Sequence, residues 1–103
     1  MNYPHWFCKV TASGVDIPIA VMLISEVQAK CAVDRYVKNI DYEHITPFTL
    51  YDSLDHLRSS EGLALSDIIV LTDDHRGKCV AFRYCDSPGG RCDVTYYDCG
   101  CFI

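Results

Sequence analysis

Long apolar runs are scarce in this chain. The longest, Ile17 to Ile24, falls well short of the roughly 20 residues that a helix needs to cross a bilayer, so no membrane span is expected. Asp16 precedes that run where a signal peptide would carry basic residues, and the tail from Cys99 to Ile103 has no cysteine four positions from its end for a prenyl group. Paired C-x-x-C knuckles are missing, which removes the usual spacing of a structural zinc site. There is no glycine-rich phosphate loop either, because Gly89-Gly90 leads into a strand-like segment and not a helix. Basic residues are few, nine against fourteen acidic ones, and they form no stripe, so direct binding of nucleic acid is disfavoured.

Disorder is excluded by the other side of the composition. Half of the 103 residues are hydrophobic and only 22% are charged, enough for a single core. With no repeat, low-complexity tract or second domain in view, residues 1–103 are expected to form one compact α+β domain in the cytoplasm.

The strongest pattern lies between Asp67 and Asp98. Ile68 to Leu71 is a continuous β-branched-rich run, the signature of a strand covered on both faces or paired centrally. The turn residues Asp73 to Gly77 follow. Val80, Phe82 and Tyr84 then alternate with Cys79, Ala81, Arg83 and Cys85. After a second turn over Asp86 to Gly90, Cys92, Val94 and Tyr96 are expected on one face, with Arg91, Asp93, Thr95 and Tyr97 on the other. Such a series is an antiparallel meander.

Earlier in the chain, His5 to Ala12 alternates as a first strand, Ser13-Gly14 turns, and Ile17 to Ile24 reads as a second strand in preference to the start of a long helix. Ser25 and Gln28 have capping-box spacing. Ala29, Ala32, Val33, Tyr36 and Val37 then give one apolar helical face over about Glu26 to Lys38. Thr46-Pro47 resembles an N-cap with proline at the first helical position. Leu50, Tyr51, Leu54 and Leu57 supply the buried stripe of a second helix that Gly62 ends. The expected architecture is ββααβββ: an antiparallel sheet of about five strands with two helices packed on one face.

Seven cysteines is a high, odd number for a reducing compartment. Free thiols, several of them buried, are the expectation. Two alternatives stand beside it: disulfides in an exported form, and a metal or redox centre at Cys99 and Cys101 with His75, Cys79, Cys85 or Cys92 contributing.

Catalytic motifs are thin. Asp52 and His56 lie one helical turn apart, which suits a carboxylate-oriented imidazole but more often marks a solvated face. His75 and Cys79 lie four apart with no oxyanion-hole motif beside them. Asp73-Asp74 has no marked third ligand and reads as a turn. No catalytic residue, cofactor or metal is assigned.

Charge is distributed unevenly. From Asp41 to Asp74 there are eight acidic residues and one basic residue, a net −7, while the rest of the chain has six acidic and eight basic. A one-signed surface attracts basic partners and repels nucleic acid. The chain is therefore expected to be a non-enzymatic acidic module that masks a basic protein, such as a nuclease or a nucleic-acid-binding complex. Asp52, Asp55, Asp73 and Asp74 would supply the attraction, and Tyr51 or an exposed Tyr97 the anchor. In size and charge alone such a chain is similar to phage-encoded inhibitors of host defence, anti-CRISPR proteins among them, and to toxin-immunity proteins. A homodimer through the final edge strand is a further alternative.

Overall fold

The computed structural model describes residues 4–73, 78–85 and 90–98. The strands are β1 (His5–Ala12), β2 (Val15–Met22), β3 (His44–Ile45), β4 (Thr49–Tyr51), β5 (Ile69–Asp73), β6 (Cys79–Tyr84) and β7 (Arg91–Tyr97). The helices are α1 (Glu26–Tyr36) and α2 (Leu54–Glu61). All strands join one sheet in the order β3-β1-β2-β5-β6-β7, with β4 also on β1.

Ser13 and Gly14 both take positive φ, 54° and 76°, as a tight two-residue reversal between β1 and β2 requires. Ile17 to Ile24 is indeed strand over most of its length. The sheet, however, is mixed and not antiparallel throughout. β2 pairs in parallel with β5, Ile19 opposite Ile69 and Met22 opposite Thr72, because the whole stretch from Leu23 to Ile68 intervenes and a long crossover allows parallel pairing.

The helices also differ from expectation, since they cover opposite faces of the sheet. α1 packs Ala29, Ala32 and Val33 onto Cys8, Val10, Ile19, Val21, Ile69, Leu71, Cys79 and Ala81. On the other face Leu57 of α2 packs with Phe7, Ala20, Val70, Val80 and Phe82. Successive residues of β2 and β5 are therefore buried on both sides, which explains their unbroken apolar runs.

Ser25 caps α1 by accepting from the Gln28 amide at 3.2 Å, though the Gln28 side-chain oxygen is buried without a hydrogen-bond partner, so only half the capping box forms. α2 starts later than Thr46-Pro47 suggested. Its N-cap is Ser53, which accepts from the His56 amide at 3.0 Å, and it ends at Gly62 with φ 66°. Thr46-Pro47 instead interrupts the edge strand. The Thr46 hydroxyl accepts from the Lys9 amide at 2.9 Å, and its own amide donates to the Lys9 carbonyl. Proline is tolerated there because an edge position leaves the missing donor unneeded.

Two bulges decide which side chains face which way. Between Ile45 and Thr49 the register on β1 slips by one residue, so Ile45 packs on the α1 face and Tyr51 on the α2 face. β7 slips likewise against β6, with Asp93 at φ 55° in the irregular stretch. Arg91 therefore stacks over Phe82 on the α2 face, 4.2 Å from the ring centre, while Tyr97 turns to the α1 face. The expected alternation along β7 is corrected accordingly: Val94 and Tyr96 are exposed and Tyr97 is half-buried.

Candidate functional site

Three of the expected contact residues, Tyr51, Asp52 and Asp55, fall on one short stretch where β4 hands over to α2. Leu57 is the only buried residue of that eight-residue helix. A helix so short is marginal alone, so the Ser53 cap and Leu57 are what hold the carboxylates in place.

Tyr51, expected both in a buried stripe and as a contact anchor, is buried. Its ring is buried edge-on to Phe7 and His56, at 6.2 and 5.2 Å, and its hydroxyl donates to Glu61. That bond, with burial and the Glu61 charge behind it, raises the phenol above its ordinary range. Glu61 is also 3.8 Å from the Lys9 ammonium. Tyr51 thus ties β4 to the end of α2 and supports the site from beneath.

Asp52 and Asp55 are presented to solvent, with side chains 85% and 93% exposed. Their partners both come from α2: His56 Nδ1 lies 2.9 Å from Asp52, and Arg58 lies 3.5 Å from Asp55. The His56 contact lowers the Asp52 pKa, keeping that carboxylate ionised further into acid. Exposed pairs of this kind are screened by solvent and add little to stability. Below them His5 is buried, its Nδ1 without a hydrogen-bond partner among the described residues, and burial lowers its pKa against the opposing pull of Asp52.

The other expected residues are elsewhere. Tyr51, His5, Met22 and Thr72 form one row across the sheet. Asp73, next after Thr72, is therefore about three strand spacings from Tyr51, roughly 14 Å. Asp74 lies outside the described residues, as do His75, Cys99 and Cys101. Tyr97 is on the opposite face, where its hydroxyl donates to the Ala32 carbonyl at 2.9 Å. The acidic third of the chain does not form one continuous face. Glu43 binds Thr11 near one end of β1 and Tyr51 lies opposite His5 at the other, about 20 Å apart along the strand. Asp67 precedes β5 and Asp73 ends it.

The Asp52–His56 dyad has the geometry of an oriented imidazole, but the hydroxyls beside it are engaged: Ser53 accepts from the His56 amide and Tyr51 donates to Glu61. A cavity of about 320 Å³ lies on the other face, lined by Lys30, Val33, Ile45 and Phe48 among others. His5, Lys9 and Glu61 were not legible as members of the site, since each reaches it through pairing with β1 or across α2.

The sulfurs correct another expectation. Cys85 and Cys92 are joined in a disulfide between the end of β6 and the start of β7, with Cα atoms 5.7 Å apart, and Cys31 is disulfide-bonded as well. Cys85 and Cys92 are therefore not free thiols or thiolate ligands. Cys8 and Cys79 are buried as small apolar side chains, and burial pushes the Cys8 thiol up to about 12. Among the described residues no three His, Cys, Asp or Glu side chains are grouped to hold a metal ion, and no helix is long and apolar enough to cross a membrane. No family model matches the chain, and no curated protein or solved structure matches it.

Proposed function

We propose that this protein is a small acidic interaction module that masks a basic surface on a nuclease or nucleic-acid-binding partner, as phage-encoded anti-CRISPR and other anti-defence inhibitors do. The observation that carries this reading is the near-complete exposure of Asp52, just before the Ser53 cap, and of Asp55, in the first turn of the core-anchored helix α2. A fixed pair of carboxylates attracts a cationic partner over about 8 Å at physiological ionic strength and loses that pull as salt rises. Asp73 belongs to the proposal only as a second, more distant contact, and Asp74, outside the described residues, belongs to it from the sequence alone.

A toxin-immunity protein would use the same edge and differ in its partner. The Cys85–Cys92 bond bears on the choice: disulfides persist in oxidising compartments, whereas an inhibitor acting in the cytoplasm meets a reducing one. A redox or metal protein centred on Cys99 and Cys101 remains the reading for which elemental analysis is the test.

The deciding experiment is capture from native host lysate at low and high salt, using the wild-type chain and the double variant Asp52→Lys, Asp55→Lys. One dominant basic protein, lost at high salt and lost on charge reversal, supports the proposal. Capture of the same protein by the reversed variant removes the mechanism.

A second reading is a homodimer through β7, which ends the described sheet on its side and exposes Val94 and Tyr96. Light scattering separates dimer from monomer, and Val94→Lys should abolish a dimer formed this way.

A further inference from the structure

We propose that the hollow between α1 and β7 binds a small zwitterion of the α-amino acid class, its carboxylate against Arg83 and its ammonium against Asp93. The hollow has a volume of about 200 Å³ and opens to solvent at the exposed Arg83, Asp93 and Thr95, with Ile69, Ala81 and Tyr36 also in its lining. A single water needs only about 10–15 Å³ of such space, so the hollow has room for a small organic molecule.

Three observations converge on this. Arg83 and Asp93 line the same space with opposite charges, yet among the described residues neither has an ion-pair partner. Each charge is thus available to a ligand that brings the complementary one. Asp93 is where it is because of the β7 bulge: its φ of 55° is one that aspartate tolerates better than most residues. A bulge commonly serves to re-aim a side chain beside a binding site. Finally, the Tyr36 phenol, held up chiefly by burial, feels both charges, Arg83 lowering its pKa and Asp93 raising it. Both charged groups are therefore near the Tyr36 hydroxyl as well as lining the same hollow. A simple anion would satisfy Arg83 and leave Asp93 to repel it; a simple cation would meet the reverse.

The site lies on the α1 face, away from Asp52 and Asp55, and does not rest on the function proposed above. Its test is titration of the ¹⁵N-labelled full chain with L-alanine, propionate and ethylamine. Alanine should give saturable shifts at the amides of Ala81, Arg83, Asp93 and Thr95. The two singly charged analogues should each bind at least about tenfold more weakly, as loss of one charge-assisted hydrogen bond implies. Arg83→Gln and Asp93→Asn should each weaken alanine binding by a similar factor, asparagine being as tolerant of positive φ as aspartate. Absence of saturation with alanine overturns the proposal, and so does propionate or ethylamine binding as tightly as alanine. That ligand series decides the matter even where a variant fails to fold.

Discussion

The Tyr97 hydroxyl donates to the Ala32 carbonyl across 65 residues of sequence, at 2.9 Å, and so ties the outermost strand of the sheet to the middle of α1. The Tyr97 ring also lies 5.8 Å from that of Tyr36. Tyr97→Phe keeps the ring and removes the bond. It is expected to cost about 1 kcal/mol, which for a domain of this size is a fall of roughly 4–8 °C in Tm. Thermal unfolding followed by circular dichroism measures it; an unchanged Tm means the hydroxyl is as well satisfied by water.

Leu57 is fully buried and is the only such side chain on α2. Leu57→Ala should destabilise the protein by about 2–5 kcal/mol. Urea denaturation should show the loss, and amide exchange should rise first in residues 54–61. If α2 keeps its protection, something other than Leu57 holds it.

His5 introduces a pH dependence. Its pKa is lowered from 6.5, by burial above all, so the unfolded chain takes up a proton before the folded one does. Stability from this group is full above about pH 6.5 and is lost as the pH falls below it. Asp52, lowered from 3.8 by its bond to His56, acts in the same direction but only below that value. Urea midpoints between pH 7 and 5 should therefore fall in the wild type and stay nearly level in His5→Leu. Parallel profiles for the two proteins contradict this.

Alkylation without reductant, read by mass spectrometry, tests the sulfur chemistry. In the folded protein Cys85 and Cys92 should stay unmodified because they are bonded to each other. Cys8 should stay unmodified because its thiol is buried and its pKa is near 12. After unfolding, still without reductant, Cys8 alone of these three should react. Modification of Cys85 and Cys92 in the folded chain would return the protein to the reducing compartment expected from its sequence.

Local features were legible in the sequence, and long-range ones were not. The Ser13-Gly14 reversal, the Ser25 and Gly62 caps and the strand periods over His5 to Ala12 and Cys79 to Tyr84 depend on neighbouring residues. The parallel β2–β5 pairing depends on residues some fifty positions apart and has no local turn to announce it. Two-sided coverage was written in Ile68 to Leu71, whose unbroken apolar run suits a sheet buried on both faces, although the helices were expected on one. At the site, the bulges were the hidden element. One extra residue near Thr46 and another near Asp93 reverse the facing of everything beyond them, which is why Tyr51 and Tyr97 both turn inward. An aspartate in the midst of Val94, Thr95, Tyr96 and Tyr97 was the available hint, since aspartate is depleted in regular strands.

Whether Asp52 and Asp55 form the docking edge is best tested by mapping amide shifts in the ¹⁵N-labelled chain as an oligolysine peptide is added. Shifts should centre on residues 50–58, shrink as salt rises, and vanish in the Asp52→Lys, Asp55→Lys variant. Shifts centred on Asp41 and Glu43, or on Asp67, or left in place by the double reversal, would contradict the account.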